Sequence, residues 1–544
     1  WSGELSAFPL SASGVSPTPV WKASAGIPAA GLRRIFTWNG STGVAFPTAA
    51  QSATLTSPVV DYLKGVRSNE IQFGGTLRDR VHLLGDIINS SPIHDPATNT
   101  VFVGANDGML HAFSGANGVE QFAYVPAGLN FTNLKTFADK DYKHRFFVDG
   151  QVVVSSRRQT PNQTIVVGAL GRGGRGVFAL DATSPSTFGA SNVLWDKTGA
   201  AAEPNMGLVL GRPVIARLNN GTLGLIVPNG VNSTNNRAVL FIYNLMTGAL
   251  IAQIDTGVGS ATQPNGLSSP AVFDAGGDGT VDFVFAGDMR GYMWRFDLTS
   301  TNPSQWSNAA NRSVLFAAGP SKPITAAPSL ALNPADFKLW VFFGTGRYLS
   351  AGDPGDLSVQ SWYGMRDSAT TIPLTDLQRR KIEEQTTHSG RLVRTFENAG
   401  PLSDGKMGWF IDLVRPPYPP GVAEGERMIT NQRVVGRILI ASSIIPSNDP
   451  CAVGGTGFVN AIDAFTGASL AGSFFDVDGD GSFADETING RPVGSLDLNI
   501  SMPTEAALVE SILVVGGSRS TTGEVPVDLS SLYGRISWRE IVRD

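Results

Sequence analysis

The segment richest in chemistry is DVDGDGSFADE, from Asp476 to Glu486. Calcium is a hard cation that takes six or more oxygens, and D-x-D-x-D-G offers three carboxylates at alternate positions with a glycine that lets the chain turn tightly round the ion. Asp476, Asp478 and Asp480 take the first, third and fifth positions, Gly481 the bend and Ser482 the backbone-carbonyl position. The closing acid is displaced: Thr487 stands twelfth, with Asp485 and Glu486 just before it. Acids packed this densely repel unless neutralised, which favours an ion over the alternative, an acidic surface turn.

A second candidate is DAGGDGTVD, from Asp274 to Asp282. Asp274, Asp278 and Asp282 recur every four residues and Thr280 offers its carbonyl, but Gly276 stands where a third side-chain oxygen is expected. Fewer charged ligands imply weaker calcium binding or a site completed by water. The competing reading is a Gly/Asp hairpin turn.

Other chemistry is sparse. Gly171, Gly173 and Gly176 match G-x-G-x-x-G, but that dinucleotide motif needs a helix next, and Val177-Phe178-Ala179-Leu180-Asp181 reads as a strand. There is no G-x-x-x-x-G-K-[ST] and no H-E-x-x-H. His82, His94, His111, His144 and His388 do not cluster in sequence, and Asn106-Asp107-Gly108 reads as a hairpin turn. The single cysteine, Cys451, excludes an internal disulfide framework and a Cys-rich zinc site; it reads as a buried small side chain or as a thiol with a partner elsewhere. No catalytic residue and no organic cofactor site is assigned.

These loops need strands to hold their ends, and the chain supplies them as a repeat. Its 544 residues include 63 Gly and 33 Pro but only 16% charged residues, with net charge -5. That composition excludes collagen and global disorder, and without a run of Lys or Arg it gives no footprint for nucleic acid or an anionic membrane. No apolar stretch is long enough to span a membrane as a helix. The chain starts at Trp1 without a signal-like segment and is expected to be a fragment or mature form.

Apolar β-branched strands ending in Gly, followed by a polar turn and an aromatic strand, recur at Val101, Ile165, Leu225, Phe283, Val341, Ile438 and Ile512. Their marker residues are Gly104, Gly168, Gly230, Gly287, Gly344, Ala441 and Gly516. Several copies follow a Pro-bearing strand, such as GRPVIARL or SSPAVF. Three or four strands per unit with Gly-rich turns is the signature of propeller blades. The sequence therefore predicts an all-β, seven-bladed propeller over residues 84–544, preceded by strands in 1–83 that pack on it or complete it. An insertion is expected over 350–436, with one short helix, Asp376 to Gln385, capped by Thr375 and Gln378.

Several segments resemble the C-terminal propeller of PilY-type proteins, the type IV pilus tip-associated adhesins and biogenesis factors. They include LGDIINSSPI, VFVGANDGMLHAF, VVGALGRGGRGVFALDAT, SSPAVFDAGGDGTVDFVFAGDMRGYMWRFDL, FGTGRYL, DPCAVGGTGFVNAIDAFTG and the terminal GRISWREI, in order along the chain. The resemblance implies a modified seven-bladed propeller with quinoprotein-like repeats, and a calcium loop at Asp274, Asp278, Thr280 and Asp282. It further implies a monomeric, non-enzymatic propeller at the bacterial cell surface, carried at the pilus tip with minor pilins. Pilus biogenesis, calcium-biased extension and retraction, twitching motility and adhesion to a host or abiotic surface would be its roles. No Arg-Gly-Asp triplet is present. The alternatives are a quinone-dependent dehydrogenase propeller, against which the lone cysteine argues, and a glycan- or host-surface-binding propeller.

Overall fold

The computed structural model describes residues 1–11, 14–449 and 454–530. Cys451 and the GRISWREI segment lie outside them. The chain forms two compact units: the first comprises Trp1–Met289 and Trp294–Ser313, and the second comprises Arg290–Met293 and the chain from Val314 onward.

In the first unit, a six-stranded sheet runs in the order Gly43–Ala45, Ile35–Trp38, Glu120–Val125, Met109–Ser114, Thr100–Ala105 and Ile93–Asp95. Ile35–Trp38 lies parallel to Glu120–Val125, while its other neighbours pair antiparallel. Two four-stranded antiparallel sheets follow, Val152–Val154 to Val193–Thr198 and Val214–Arg217 to Leu250–Asp255. Leu267–Phe273 then pairs with Phe283–Asp288, and the short connection between these two strands is the Asp274 loop.

In the second unit, a five-stranded sheet is ordered Ser329–Leu332, Leu339–Gly344, Ser361–Arg366, Gly408–Asp412 and Leu377–Arg380. The next sheet runs Ile382–His388, Arg391–Phe396, Arg491–Leu496, Gly455–Asp463, Ile438–Pro446 and Arg433–Val435, with Thr487–Ile488 paired to Arg491–Leu496. A three-stranded sheet of Ala507–Val509, Ile512–Gly517 and Thr521–Pro526 comes last. Among the described residues, six sheets thus have four or more strands and the seventh repeat has three.

Six of the seven marker residues fall within the repeat's central strand, and Gly230 lies two residues past Leu223–Pro228. The inner strands Ile165–Ala169 and Leu339–Gly344 are buried along their whole length, as strands covered on both faces must be. Aromatic side chains fill the layers, and two of the buried indoles donate to backbone carbonyls: Trp195 to Leu245 O at 2.8 Å and Trp409 to Ala464 O at 2.7 Å.

The expected helix at Asp376–Gln385 does not form. A 3-10 turn at Leu374–Asp376 leads into strand Leu377–Arg380, and Ile382–His388 is also a strand. Helix-forming residues are overridden by pairing: Leu377–Arg380 lies parallel to Gly408–Asp412, and Ile382–His388 forms a hairpin with Arg391–Phe396. Buried Leu377, Arg380 and Ile382 fit neither a helical stripe nor a cap, and the Thr375 hydroxyl bonds its neighbour Asp376. Residues 350–436 therefore contribute strands to two sheets.

Helices occur instead at Ala49–Leu55 and Ser57–Lys64. Thr48 and Gln51 make the reciprocal capping box: the Gln51 N–H donates to Thr48 Oγ1 at 3.2 Å and the Thr48 N–H to Gln51 Oε1 at 2.8 Å. Among the described residues no helix is long and apolar enough to cross a membrane.

Candidate metal centre

The two Asp loops belong to different units, yet the chain wraps in the same way in each. In the Asp274 loop the first acid gathers backbone N–H groups: Gly277 donates to Asp274 Oδ1 at 2.6 Å and Gly279 to Oδ2 at 2.7 Å. In the Asp476 loop Gly479 donates to Asp476 Oδ1 at 2.7 Å and Gly481 to Oδ2 at 3.1 Å. These wraps require left-handed backbone at Gly277 and Gly279 (φ 70° and 86°) and at Gly479 and Gly481 (φ 79° and 86°), which glycine adopts without a Cβ clash.

The fifth residue then accepts from the seventh, Thr280 N–H to Asp278 Oδ1 at 2.9 Å and Ser482 N–H to Asp480 Oδ1 at 2.7 Å. The closing acid completes the correspondence. Asp282 Oδ2 accepts from the N–H groups of Ala275 (2.8 Å) and Gly276 (3.0 Å), the second and third loop residues. Glu486 Oε1 accepts from the equivalent pair, Val477 (2.5 Å) and Asp478 (3.1 Å). Glu486, one methylene longer and two positions later, thus does the work of Asp282. This explains how the displaced acid still closes its loop.

Asp476, Asp478 and Asp480 present carboxylate oxygens all within 4.8 Å of one another, the one such group of three among the described residues. Asp476 is buried and Asp478 and Asp480 are exposed. Glu486 is also buried, and its Oε2 sits 2.7 Å from His388 Nε2, an ion-pair distance, in an orientation that forms no hydrogen bond. Three converging carboxylates beside a buried acid suit a hard divalent cation. Asp485 stands apart: it accepts from the Ser482 hydroxyl at 2.7 Å, and that bond holds its carboxyl below the usual range.

The Asp274 loop is looser. A Cβ built on Gly276 would meet Asp282 Oδ2 at 3.8 Å, Asp274 Oδ1 at 3.9 Å and Asp278 Cγ at 3.9 Å. The position corresponds to Asp478 in the other loop and faces all three acids. Its φ lies outside the left-handed region, so a side chain fits there. The carboxylates of this loop do not converge as those of Asp476, Asp478 and Asp480 do, and with glycine in the third position one side-chain ligand of the pattern is unfilled. Asp278 accepts the Thr280 hydroxyl at 2.6 Å, and this bond with the Thr280 N–H keeps its carboxyl below the usual range. Gly276→Asp is expected to tighten calcium binding to this loop by about tenfold or more, because affinity follows the count of charged ligands. Calorimetric titration of both proteins checks this, and an unchanged affinity would count against the loop as an ion site.

Both loops recruit partners that sequence spacing does not reveal. Asn219, from the turn after Val214–Arg217, reaches Asp282 and Thr280, while His388 reaches Glu486 across more than ninety residues. Of the other histidines, His111 is buried between Asp107 and Glu120, and His144 Nε2 lies 2.7 Å from Asp86 Oδ2. At the G-x-G-x-x-G segment, Gly171–Gly173 makes a 3-10 turn before the strand Gly176–Asp181, with no helix to receive a pyrophosphate.

The sequence profile of the PilY1 beta-propeller domain matches residues 88–389, more than half of the chain. The chain belongs to the PilY1 β-propeller family. It is similar to a type IV pilus biogenesis factor PilY1 homolog of Xylella fastidiosa (strain Temecula1 / ATCC 700964), 36% identical over 585 residues that cover 100% of this chain and 46% of that protein. It is also 33% identical over 491 residues to the type IV pilus biogenesis factor PilY1 of Pseudomonas aeruginosa (strain PAK), covering 77% of this chain and 41% of the relative. Among solved structures, the Pseudomonas aeruginosa PilY1 C-terminal domain matches with a TM-score of 0.62 and 28% identity, covering 79% of this chain and 92% of that one. The chain spans about half the length or less of the curated relatives it matches. As a PilY1 propeller, it carries both Asp loops on a scaffold of all-β sheets.

Proposed function

We propose that this chain is the calcium-binding propeller part of a type IV pilus biogenesis factor. It acts at the bacterial cell surface, in a pilus-tip complex with minor pilins. The observation that carries the reading is the match along the whole chain to a relative of that name, joined to two Asp loops that wrap alike. Under this reading the three-stranded sheet at Ala507–Pro526 is the seventh blade.

Asp274, Asp278, Asp282 and the Thr280 carbonyl would hold one ion. Asp476, Asp478, Asp480, the Ser482 carbonyl and Glu486 would hold a second. The ion supplies charge neutralisation. The chain supplies loops already turned by backbone bonds, so that occupancy orders exposed carboxylates without refolding the sheets. A bound ion biases pilus extension against retraction only by its differential affinity for two docking states of the propeller.

The test is Asp282→Ala introduced into the full-length protein. Calcium affinity of the purified protein is expected to fall, and twitching motility and surface attachment of cells carrying the variant are expected to change. Unchanged affinity would remove Asp282 from the site; lost affinity with normal motility and attachment would remove the regulatory role.

A further inference from the structure

Asp282 divides its two oxygens between different tasks. Oδ2 binds the loop's own N–H groups, while Oδ1 faces Asn219 Nδ2 at 3.2 Å. Asn219 belongs to the preceding sheet, in the turn joining Val214–Arg217 to Leu223–Pro228. The same amide nitrogen also reaches Val281 O at 2.9 Å and Leu298 O at 3.0 Å, and Asn219 Oδ1 faces the Thr280 hydroxyl at 3.0 Å. The Val281 N–H in turn donates to Arg217 O at 2.9 Å, and Leu218 bridges to Val281. One side chain therefore ties the closing acid, the carbonyl-bearing seventh residue and the strand behind the loop to the neighbouring sheet.

The hydrogen count makes this tie adjustable. An amide nitrogen has two N–H hydrogens, and here three oxygens compete for them, with Asp282 Oδ1 the most distant. The Thr280 hydroxyl has one hydrogen and two acceptors in range, Asp278 Oδ1 and Asn219 Oδ1. The two backbone carbonyls can take both amide hydrogens, which frees Asp282 Oδ1 without leaving a donor unsatisfied. The second loop repeats the plan: there the other oxygen of its closing acid, Glu486 Oε2, lies 2.7 Å from His388 Nε2, which also comes from outside the loop.

We propose that Asn219 is a positioning residue for the Asp274 loop, holding Asp282 and Thr280 in register for a divalent cation and coupling occupancy of the loop to the preceding sheet. This rests on the calcium reading above. It assigns to a residue outside the D-x-x-x-D-x-T-x-D stretch a share of the affinity. Residues that orient metal ligands commonly change affinity by ~10- to 100-fold when removed.

The experiment is calorimetric calcium titration of Asn219→Ala in a protein whose second loop is silenced by Asp480→Ala, beside Asn219→Ser, Asp282→Ala and the double variant Asn219→Ala/Asp282→Ala. Thermal midpoints are measured in EDTA for each. The expected result is a fall of about tenfold or more in affinity for Asn219→Ala, and no further fall when it is added to Asp282→Ala, because the two act as one unit. Asn219→Ser keeps a hydroxyl for a backbone carbonyl but cannot reach Asp282, so it should lose affinity while melting closer to the parent in EDTA. A merely structural asparagine would lower the midpoint in EDTA and leave affinity within about twofold of the parent; that outcome overturns the proposal. Additive losses in the double variant would also overturn it. If Asp282→Ala itself binds calcium normally, it is the calcium reading that fails.

Discussion

Replacing Glu120 by alanine is expected to destabilise the first unit by about 3–5 kcal/mol, the usual cost of stranding buried charge. Glu120 sits between two buried cations. Arg33 Nε donates to its Oε2 and Arg33 Nη2 to its Oε1, both at 2.7 Å, while His111 Nδ1 lies 2.7 Å from Oε1. Asp107 holds the other side of the imidazole, with both oxygens 3.2 Å from His111 Nε2. Two cations and two anions thus balance where water is excluded, and removing Glu120 leaves Asp107 alone against both cations. The network also matters for topology, because Arg33 immediately precedes the segment that adds Ile35–Trp38 in parallel to the first sheet.

The pH dependence has a definite sign. Burial alone would lower the His111 pKa, but Asp107 and Glu120 outweigh it and raise the value to about 9. Burial would likewise raise Glu120, yet Arg33 and His111 bring it down to about 2. The His111 contribution is therefore complete below the unfolded value of about 6.5 and is lost as pH climbs through about 9. The Glu120 contribution is complete above about 4.3 and lost as pH falls through about 2. Urea denaturation of the parent and Glu120→Ala at several pH values reads both effects. The variant should lose stability most at pH 5–6 and show a flatter alkaline limb. A loss below about 1 kcal/mol, in the range of an exposed pair, would mean the network is not the buried lock described.

Asp476→Ala is expected to abolish calcium binding at the second loop and with it the calcium-dependent stabilisation of the second unit. Asp476 does three things at once. Its carboxylate gathers the loop N–H groups and converges with Asp478 and Asp480, and its own N–H donates to Pro526 O at 3.1 Å. Phe475 bridges to Val527 beside it, and the Asp528 N–H donates to Phe474 O at 2.9 Å. The loop is thus anchored to the end of the last sheet, and an ion there favours the folded form of that sheet by mass action. At free calcium one hundredfold above the dissociation constant, a single site adds about 2.7 kcal/mol. Calorimetric melts in calcium and in EDTA should show that increment in the parent and not in Asp476→Ala. Equal increments in the two proteins would remove the ion from this loop.

The repeat and its strands were legible because their cue is local: apolar runs ending in Gly at fixed places set each inner strand, and six of the seven markers fell within one. The T-x-x-Q pattern that suggests a short helix at Thr375–Gln378 is not specific, for it stands also at Thr48–Gln51 and Thr160–Gln163. At Thr48–Gln51 no strand competes and the capping box forms, whereas at Thr375–Gln378 the chain is claimed by Gly408–Asp412. Local capping energy is small beside the pairing and burial of a sheet. Both Asp loops could be read from their spacing, since a turn of a few residues is set by its own glycines. Their supporting residues could not, because Asn219 and His388 meet them only through sheet packing. The equivalence of Glu486 with Asp282 rests on which N–H groups each accepts, and that emerges only from the folded backbone.

The most direct measurement is the number of calcium ions bound per chain, read by calorimetric titration of the metal-stripped protein. The expected result is two tightly bound ions for the parent, one each for Asp282→Ala and Asp476→Ala, with only weak residual uptake at the Asp274 loop of Asp282→Ala, and no tightly bound ion for the double variant, the second loop being the tighter because it supplies more carboxylates. No uptake at millimolar calcium, or two ions still bound in the double variant, would contradict a propeller that holds calcium in its paired Asp loops.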